Sequence, residues 1–155
     1  YKRQVGDLQV GTLAYLDGPY GSLCVDDRPE PGIGLIAGGV GLAPILGILR
    51  QLKLTNDPRD VKLIYGNRAI DQIAYRDELD NLDVTYVLSE PPNDWEGETG
   101  RIDGHVLDRV FSKNEYEQWT FVLCGPAPML DKVEDHLLQR GAKANQILSE
   151  RFDYD

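Results

Sequence analysis

The sequence contains few cysteines, few histidines and no long hydrophobic run. Two cysteines among 155 residues are too few for the disulfide framework of a small secreted domain, so we expect a reducing compartment, the cytoplasm. The two histidines, His105 and His136, have no partner at metal-ligand spacing, and the sequence has no Cys-x-x-Cys pair, so no metal site is expected. No apolar run approaches the roughly 18 residues that a membrane-spanning helix needs.

Positive charge is also scarce. The chain carries 16 Lys and Arg against 26 Asp and Glu, which gives a net charge of −10 at pH 7. Nucleic acids and anionic membrane surfaces attract basic proteins, so this balance argues against both as partners. The length fits one domain with a fragment of another. Because the sequence begins with Tyr1 rather than Met, we expect it to be a piece of a longer protein.

Short apolar runs alternate with helical patterns from residue 33 onwards. The predicted strands are 33–37, 61–65, 84–88, 120–123 and 146–149, and the predicted helices are 42–53, about 70–81, about 103–110 and one that ends at Arg140. This alternation predicts an α/β fold in three layers, a doubly wound parallel sheet of about five strands with helices on both faces. Ligands of such sheets bind at the carboxyl ends of the strands.

A glycine cluster joins the first predicted strand to the first predicted helix. Residues 38–44 read Gly-Gly-Val-Gly-Leu-Ala-Pro. A strand, a glycine-rich turn and a helix N-terminus form a cradle for phosphate, since backbone N–H groups and the helix dipole both attract an anion. Pro44 stands where the dinucleotide fingerprint has its third glycine, but proline is tolerated in the first turn of a helix. The alternative is a tight turn between two buried elements.

Four segments in order resemble one known family. They are 18–21 (Gly-Pro-Tyr-Gly), 38–44, 124–129 (Cys-Gly-Pro-Ala-Pro-Met) and 150–152 (Glu-Arg-Phe). Their order and spacing are similar to those of the ferredoxin–NADP reductase superfamily, and the loop at 95–102 is also similar. The resemblance extends over essentially the whole chain.

The resemblance implies a two-domain flavoprotein oxidoreductase. An upstream β-barrel would bind FAD, residues 1–30 would be its last strand and the hinge, and residues 31–155 would bind NAD(P)H. The family's flavin-binding Arg-x-Tyr-Ser/Thr segment does not occur in this sequence, so the chain alone is expected to hold FAD poorly. Hydride would pass from NAD(P)H to FAD and then leave as single electrons to a haem, an iron–sulfur protein or a ferric species. The turn at 17–21 (Asp-Gly-Pro-Tyr-Gly) and the ending at 150–152 resemble soluble reductase domains, including the cytoplasmic domains attached to ferric-reductase-like membrane proteins.

The resemblance also assigns residues to the nucleotide. They are Gly38, Gly39, Val40, Gly41, Leu42, Ala43 and Pro44 in the loop, Asn67 and Arg68 after the second strand, and Gly125, Pro126 and Met129 after the fourth. Gly38, Gly39, Gly41 and Leu42 would offer their backbone to the diphosphate. Many members of the family carry Thr or Ser where Ala43 stands, so a hydroxyl contact from that position is missing here.

Three residues are assigned to the reacting end of the nucleotide. Cys124 matches the family cysteine beside the nicotinamide, where it positions the ring; the alternative is a small buried hydrophobe. Phe152 matches the aromatic residue near the flavin or nicotinamide, or it fills the core. Glu150 offers a hydrogen bond in the same site, or it is a solvated carboxylate. Trp95 is expected to anchor the loop around it.

The choice between NADH and NADPH depends on the end of the second strand. An acidic residue there usually binds the ribose hydroxyls of NAD, and none follows this strand directly. Arg68 is suited to pair with a 2′-phosphate, with help from Arg76, so the pattern favours NADPH and leaves NADH open. The alternative for both arginines is a solvated helix face. For the whole chain, the alternative function is a non-catalytic nucleotide-binding regulatory or electron-transfer partner module of the same fold.

Overall fold

The computed structural model describes residues 8–15, 17–18 and 23–152 of the chain. The strands are β1 (Gly32–Gly38), β2 (Asp60–Asn67), β3 (Val84–Leu88), β4 (Glu98–Thr99), β5 (Thr120–Pro126) and β6 (Ile147–Phe152). The helices are α1 (Leu42–Leu54), α2 (Arg76–Leu79), α3 (Gly104–Val110), α4 (Lys113–Gln118) and α5 (Ala127–Gln139). Three 3₁₀ turns cover Gly39–Gly41, Ile70–Gln72 and Ala144–Gln146.

The sheet is parallel, as the alternation of strands and helices predicts. Its order is β4-β3-β2-β1-β5-β6, and every neighbouring pair runs parallel. The chain therefore winds outward from β1 in one direction and returns beyond it in the other, so the topological switch point lies between β1 and β5. The described sheet has six strands where about five were expected. The additional strand, β4, is two residues long, too short to carry an alternating pattern.

Two hydrophobic cores, one on each face, hold the sheet. On β1, Ile33 and Leu35 belong to the core under α1, and Ile36 belongs to the core under α3, α4 and α5. All seven residues of β1 are buried, which is why its sequence is a continuous apolar run with no alternation. Gly34 lets the rings of the second core press on this strand, because a Cβ there would lie 2.7 Å from Phe121.

The predicted helix at 70–81 does not form as one element. The chain makes a 3₁₀ turn, then places Tyr75 at φ 57° before the single turn of α2. Only Ile73 and Leu79 in this stretch reach the core, and a spacing of six residues does not put two side chains on one face of a helix. Conversely, α4 was not expected, although its Ser112 and Glu115 form a capping box whose Ser-x-x-Glu pattern is visible in the sequence.

The segment before β1 lies partly outside the described residues. Residues 12–15 have no regular secondary structure, and Leu16 and residues 19–22 lie outside the described part, so the barrel strand expected within 1–30 stays a prediction. Val25, in contrast, is buried in the core under α1. Within the described ranges, no helix is long and apolar enough to cross a membrane, and no cluster of three or more His, Cys, Asp or Glu could hold a metal ion.

Candidate functional site

The switch point brings most of the residues singled out in the sequence to one edge of the sheet. β1 ends at Gly38 and β5 ends at Pro126, and the two strands are hydrogen-bonded neighbours with Ala37 opposite Cys124. The 38–44 loop and the Cys-Gly-Pro turn are therefore adjacent, as the predicted sheet requires. β6 follows on the far side of β5, and β2 on the far side of β1.

The glycines of the loop have different tasks. Gly41 is buried, and a Cβ there would lie 2.1 Å from the carbonyl oxygen of Cys124, so this glycine allows α1 to start directly against the end of β5. Gly39 has φ +54° with open space around the position of its absent Cβ. It is exposed, as are Val40 and Ala43. A ligand can therefore approach the backbone at Gly39, whereas Gly41 is occupied by the fold itself.

Gly38 and Gly125 let the ends of β1 and β5 approach each other. A Cβ on Gly125 would lie 3.2 Å from the Cα of Gly38. Met129, in the first turn of α5, covers both glycines, since its sulfur is 2.8 Å from where a Cβ of Gly38 would be. The thioether is unbranched and polarizable, which suits it to a narrow and irregular space.

Two helices begin at this edge without neutralising their own dipoles. Neither α1 nor α5 has a side-chain N-cap hydrogen bond or an acidic residue in its first turn. Each helix has 13 residues, long enough for a full N-terminal partial charge of about half a unit. Pro44 in α1 and Pro128 in α5 sit in these first turns, where a missing N–H costs nothing. The edge therefore presents two positive helix termini to an incoming anion.

Cys124 lies at the bottom of this edge and is fully buried. Burial raises the pKa of its thiol to about 11, and the negative charge of Glu150 acts in the same direction. The thiol is therefore neutral at physiological pH. This group is suited to contact and orientation, whereas a nucleophilic cysteine needs a lowered pKa.

The last strand lines the same edge beside β5. Its register puts Glu150 opposite Cys124 and Phe152 opposite Pro126. Glu150 is exposed at this position. Between the two, Arg151 pairs with Asp131 at 2.8 Å and with Glu134 at 3.4 Å on α5, which ties the end of the strand to the helix.

The end of β2 holds a polar group without a partner. The side-chain Nδ2 of Asn67 is buried and has no hydrogen-bond partner among the described residues. A buried donor of this kind costs free energy unless a ligand or water accepts its hydrogen bond. The next residue, Arg68, is exposed, and its Nε lies 2.8 Å from Oε1 of Glu90. The guanidinium expected to bind a 2′-phosphate is thus paired with a carboxylate.

The sequence analysis did not single out Glu90. It follows β3, and its backbone N–H donates to the carbonyl of Arg68 at 2.7 Å. Because parallel strands end at the same edge, residues that follow β3 are neighbours of residues that follow β2, and this rule was the available signal. Arg76, named as a possible helper, instead pairs with Asp80 at 3.5 Å and lies over the ring of Tyr86. Trp95 anchors its loop as expected, donating from Nε1 to the carbonyl of Glu98 at 3.0 Å.

Comparison with known protein families agrees with this geometry. A family model described as the oxidoreductase NAD-binding domain matches residues 35–135. Among curated relatives, NADH-cytochrome b5 reductase 1 of Cryptococcus neoformans is 31% identical over 97% of this chain and 56% of that protein. The protein of the same name from Laccaria bicolor is 34% identical over 87% of this chain and 47% of that protein. The chain thus spans about half the length of the curated relatives it matches.

Solved structures give the same result for the fold. The cytochrome b5 reductase domain of Ulva prolifera nitrate reductase superposes with a TM-score of 0.82 at 26% identity, covering 96% of this chain and 62% of that one. The CS-b5R domains of human Ncb5or in the NAD⁺ form give 0.79 at 27% identity, covering 96% and 45%. The fold expected from the resemblance to ferredoxin–NADP reductases is confirmed.

Alanine at Gly39 and Gly41 separates the two tasks of the loop. Gly41→Ala should lower the free energy of unfolding by about 1–3 kcal/mol or more, because the added methyl overpacks against the end of β5. Gly39→Ala should cost only about 1–2 kcal/mol for its left-handed backbone but should weaken NAD⁺ binding, since the methyl enters the open approach to the loop. Urea unfolding and calorimetry measure the two effects. Equal stability losses with unchanged affinity would make both glycines mere turn residues.

The two cysteines should differ sharply towards an alkylating reagent. At pH 8 a thiol with a pKa of about 11 is ionised in only about one molecule in a thousand, and only the thiolate attacks. We expect iodoacetamide to label the exposed Cys24 in the folded chain and to label Cys124 only after denaturation, as read by peptide mass spectrometry. Comparable labelling rates for the two thiols in the folded chain would contradict the burial argument.

Proposed function

The chain belongs to the family of oxidoreductase NAD-binding domains, and we propose that it is the NADH-binding half of a two-domain flavoprotein reductase. The observation that carries this proposal is the meeting of the uncapped α1 N-terminus with the buried thiol of Cys124 at one switch point. The helix N-terminus is suited to an anion, and the buried neutral thiol lies beside it under the surface on which a planar ring would rest. A nicotinamide dinucleotide has both parts, a diphosphate and a planar ring.

The diphosphate fits the loop between β1 and α1. The exposed Gly39 has open space beside its Cα, and the first turn of α1 has no acidic residue to repel an anion. Backbone N–H groups at a helix N-terminus are suited to phosphate oxygens. Asn67 ends β2, which is separated from the strand of Cys124 by β1. Its buried Nδ2 has no partner among the described residues, and the adenosine part of the nucleotide would accept its hydrogen bond.

The nicotinamide end would lie over Cys124. NADH supplies a hydride to the flavin when it is bound, and the residues of this chain hold the ring in place for that transfer. The neutral thiol contributes volume and a weak hydrogen bond without a charge. Glu150 beside it offers an acceptor for the carboxamide, and the backbone of Phe152 follows two residues later on the same edge. Small displacements here change the fraction of bound nucleotide in reacting geometry.

We propose that a flavin-binding domain precedes this domain and is joined to it through the segment before β1. The relatives are about twice as long as the chain. Residues 8–15 carry four large hydrophobic side chains that are each more than half exposed, namely Leu8, Val10, Leu13 and Tyr15. A flavin domain packed on this segment would cover them. The electron acceptor in this proposal is a haem protein, by analogy with the cytochrome b5 reductases. Two free cysteines are compatible with the reducing cytoplasm.

We propose NADH as the hydride donor. The sequence favoured NADPH because Arg68 was expected to be available for a 2′-phosphate. In the structure, however, the guanidinium of Arg68 pairs with the carboxylate of Glu90. A 2′-phosphate would have to displace this carboxylate and would then meet its negative charge at close range. The ribose hydroxyls of NADH instead can donate to a carboxylate. The curated relatives are named as NADH enzymes, in agreement with this choice.

Neutralising Glu90 tests the choice of nucleotide. In Glu90→Gln, Arg68 is released, and NADP⁺ should bind about tenfold tighter, the value of a charge-assisted contact, while NAD⁺ binds no better. Adding Arg68→Ala should abolish the gain. Glu96→Gln, an exposed carboxylate of the same loop, is the control. If calorimetry shows that Arg68→Ala alone reduces NADP⁺ affinity about tenfold and leaves NAD⁺ unchanged, the chain prefers NADPH.

Replacing Cys124 tests the reductase proposal itself. In the full-length protein, Cys124→Ser should slow flavin reduction by NADH by about ten- to a hundredfold with little change in the dissociation constant, because the thiol touches only the reacting end. Stopped-flow absorbance measures the rate and the affinity separately. Cys24→Ser is the matched control and should leave both unchanged. A wild-type rate in Cys124→Ser would place the nicotinamide elsewhere, and binding without any flavin reduction would indicate a regulatory module.

A further inference from the structure

The segment just before β1 is fixed to the amino edge of the sheet, opposite the nucleotide site. We call residues 23–31 the brace. Leu23 and Val25 pack in the core under α1, and the carbonyl of Pro31 accepts the N–H of Asp60 at 3.3 Å. Glu30 accepts the hydroxyl of Thr120, the fully buried first residue of β5, at 2.9 Å. The brace therefore contacts the first residues of β2 and β5.

Arg59 is the central group of this attachment. Its Nη1 donates to the carbonyl of Val25 at 2.9 Å and to that of Arg28 at 3.2 Å. Its Nε and Nη2 bind the two carboxylate oxygens of Asp57 at 2.8 and 2.7 Å. The side chain is only 12% exposed, so these bonds are shielded from competing water. The side chain of Arg28 adds a contact from the brace to the carbonyl of Asn145, just before β6.

The contacts require a guanidinium. The planar guanidinium donates two parallel hydrogen bonds from Nε and Nη2 to one carboxylate. Its Nη1 still donates to the two carbonyls of the brace. A lysine ammonium has the charge but not this geometry. Asp57 in turn fixes the fork, since it also accepts the backbone N–H of Arg59 at 3.0 Å. Arg59 is thus oriented by Asp57 of its own loop as well as by the brace.

From these contacts we infer that Arg59 is a positioning residue for hydride transfer, which acts by holding the brace rigid at the point where the flavin domain is attached. This inference rests on the proposed function, because it needs a flavin domain upstream. The brace then takes no part in any movement between the domains. A fixed connection between the two domains restricts the positions that the flavin can take relative to the nicotinamide.

Cys24 lies within the brace and is exposed, so it can carry a nitroxide label that reports the motion of the brace. In this chain we expect a spectrum of restricted motion. Arg59→Ala and Arg59→Lys should both add a fast component, and Arg76→Ala, which removes an exposed ion pair remote from the brace in sequence, should not. Should Arg59→Ala fail to fold, Thr120→Val removes only the hydroxyl bond to Glu30. A fast spectrum in the unmodified chain would overturn the inference.

The rate of flavin reduction in the full-length protein tests the positioning role. Arg59→Ala and Arg59→Lys should lower the hydride-transfer rate about tenfold with the NADH dissociation constant unchanged. Thr120→Val should show the same pattern to a smaller degree. A mobile brace with a normal rate would overturn the inference. If the unmodified full-length protein shows no NADH-dependent flavin reduction, the proposed function fails instead, and the nitroxide spectra still decide whether the brace is rigid.

Discussion

The close approach of β1, α1 and β5 at the switch point is the constraint on which the rest of the structure depends. The N-terminus of α1 lies against the carbonyl of Cys124, and only a glycine fits at position 41 between them. This contact puts the positive end of a helix dipole next to the end of a neighbouring strand. The anion-binding turn and the buried thiol are therefore parts of one packing arrangement, and neither can move without the other.

The same arrangement determines the electrostatics of the edge. Two 13-residue helices direct uncapped N-termini towards it, in a chain whose net charge is −10. A net negative charge repels an approaching anion, and the helix dipoles at this edge oppose that repulsion locally. The raised pKa of Cys124 follows from the burial that accompanies this close packing, so a neutral thiol lies beside the positive N-terminus of α1.

The sequence predicted features that are local or periodic and missed those that depend on contacts between distant segments. The strand–glycine–helix unit and the Cys-Gly-Pro turn were identified because each is encoded within a few residues. The pairing of Arg68 with Glu90 was not, because it joins side chains 22 positions apart that meet only after two strands pair. β4 was missed because it is only two residues long, and the single helix predicted at 70–81 was wrong because only Ile73 and Leu79 of that stretch reach the core.

The two edges of the sheet have different roles, and this difference explains why the largely buried Arg59 lies at the amino edge. At the carboxyl edge, the buried Nδ2 of Asn67 has no hydrogen-bond partner among the described residues. At the amino edge, by contrast, each of the three side-chain nitrogens of Arg59 donates at least one hydrogen bond within the fold. A buried arginine without a nearby ligand to bind is expensive unless fully paired. Its presence at the amino edge is therefore best explained by the brace that it holds.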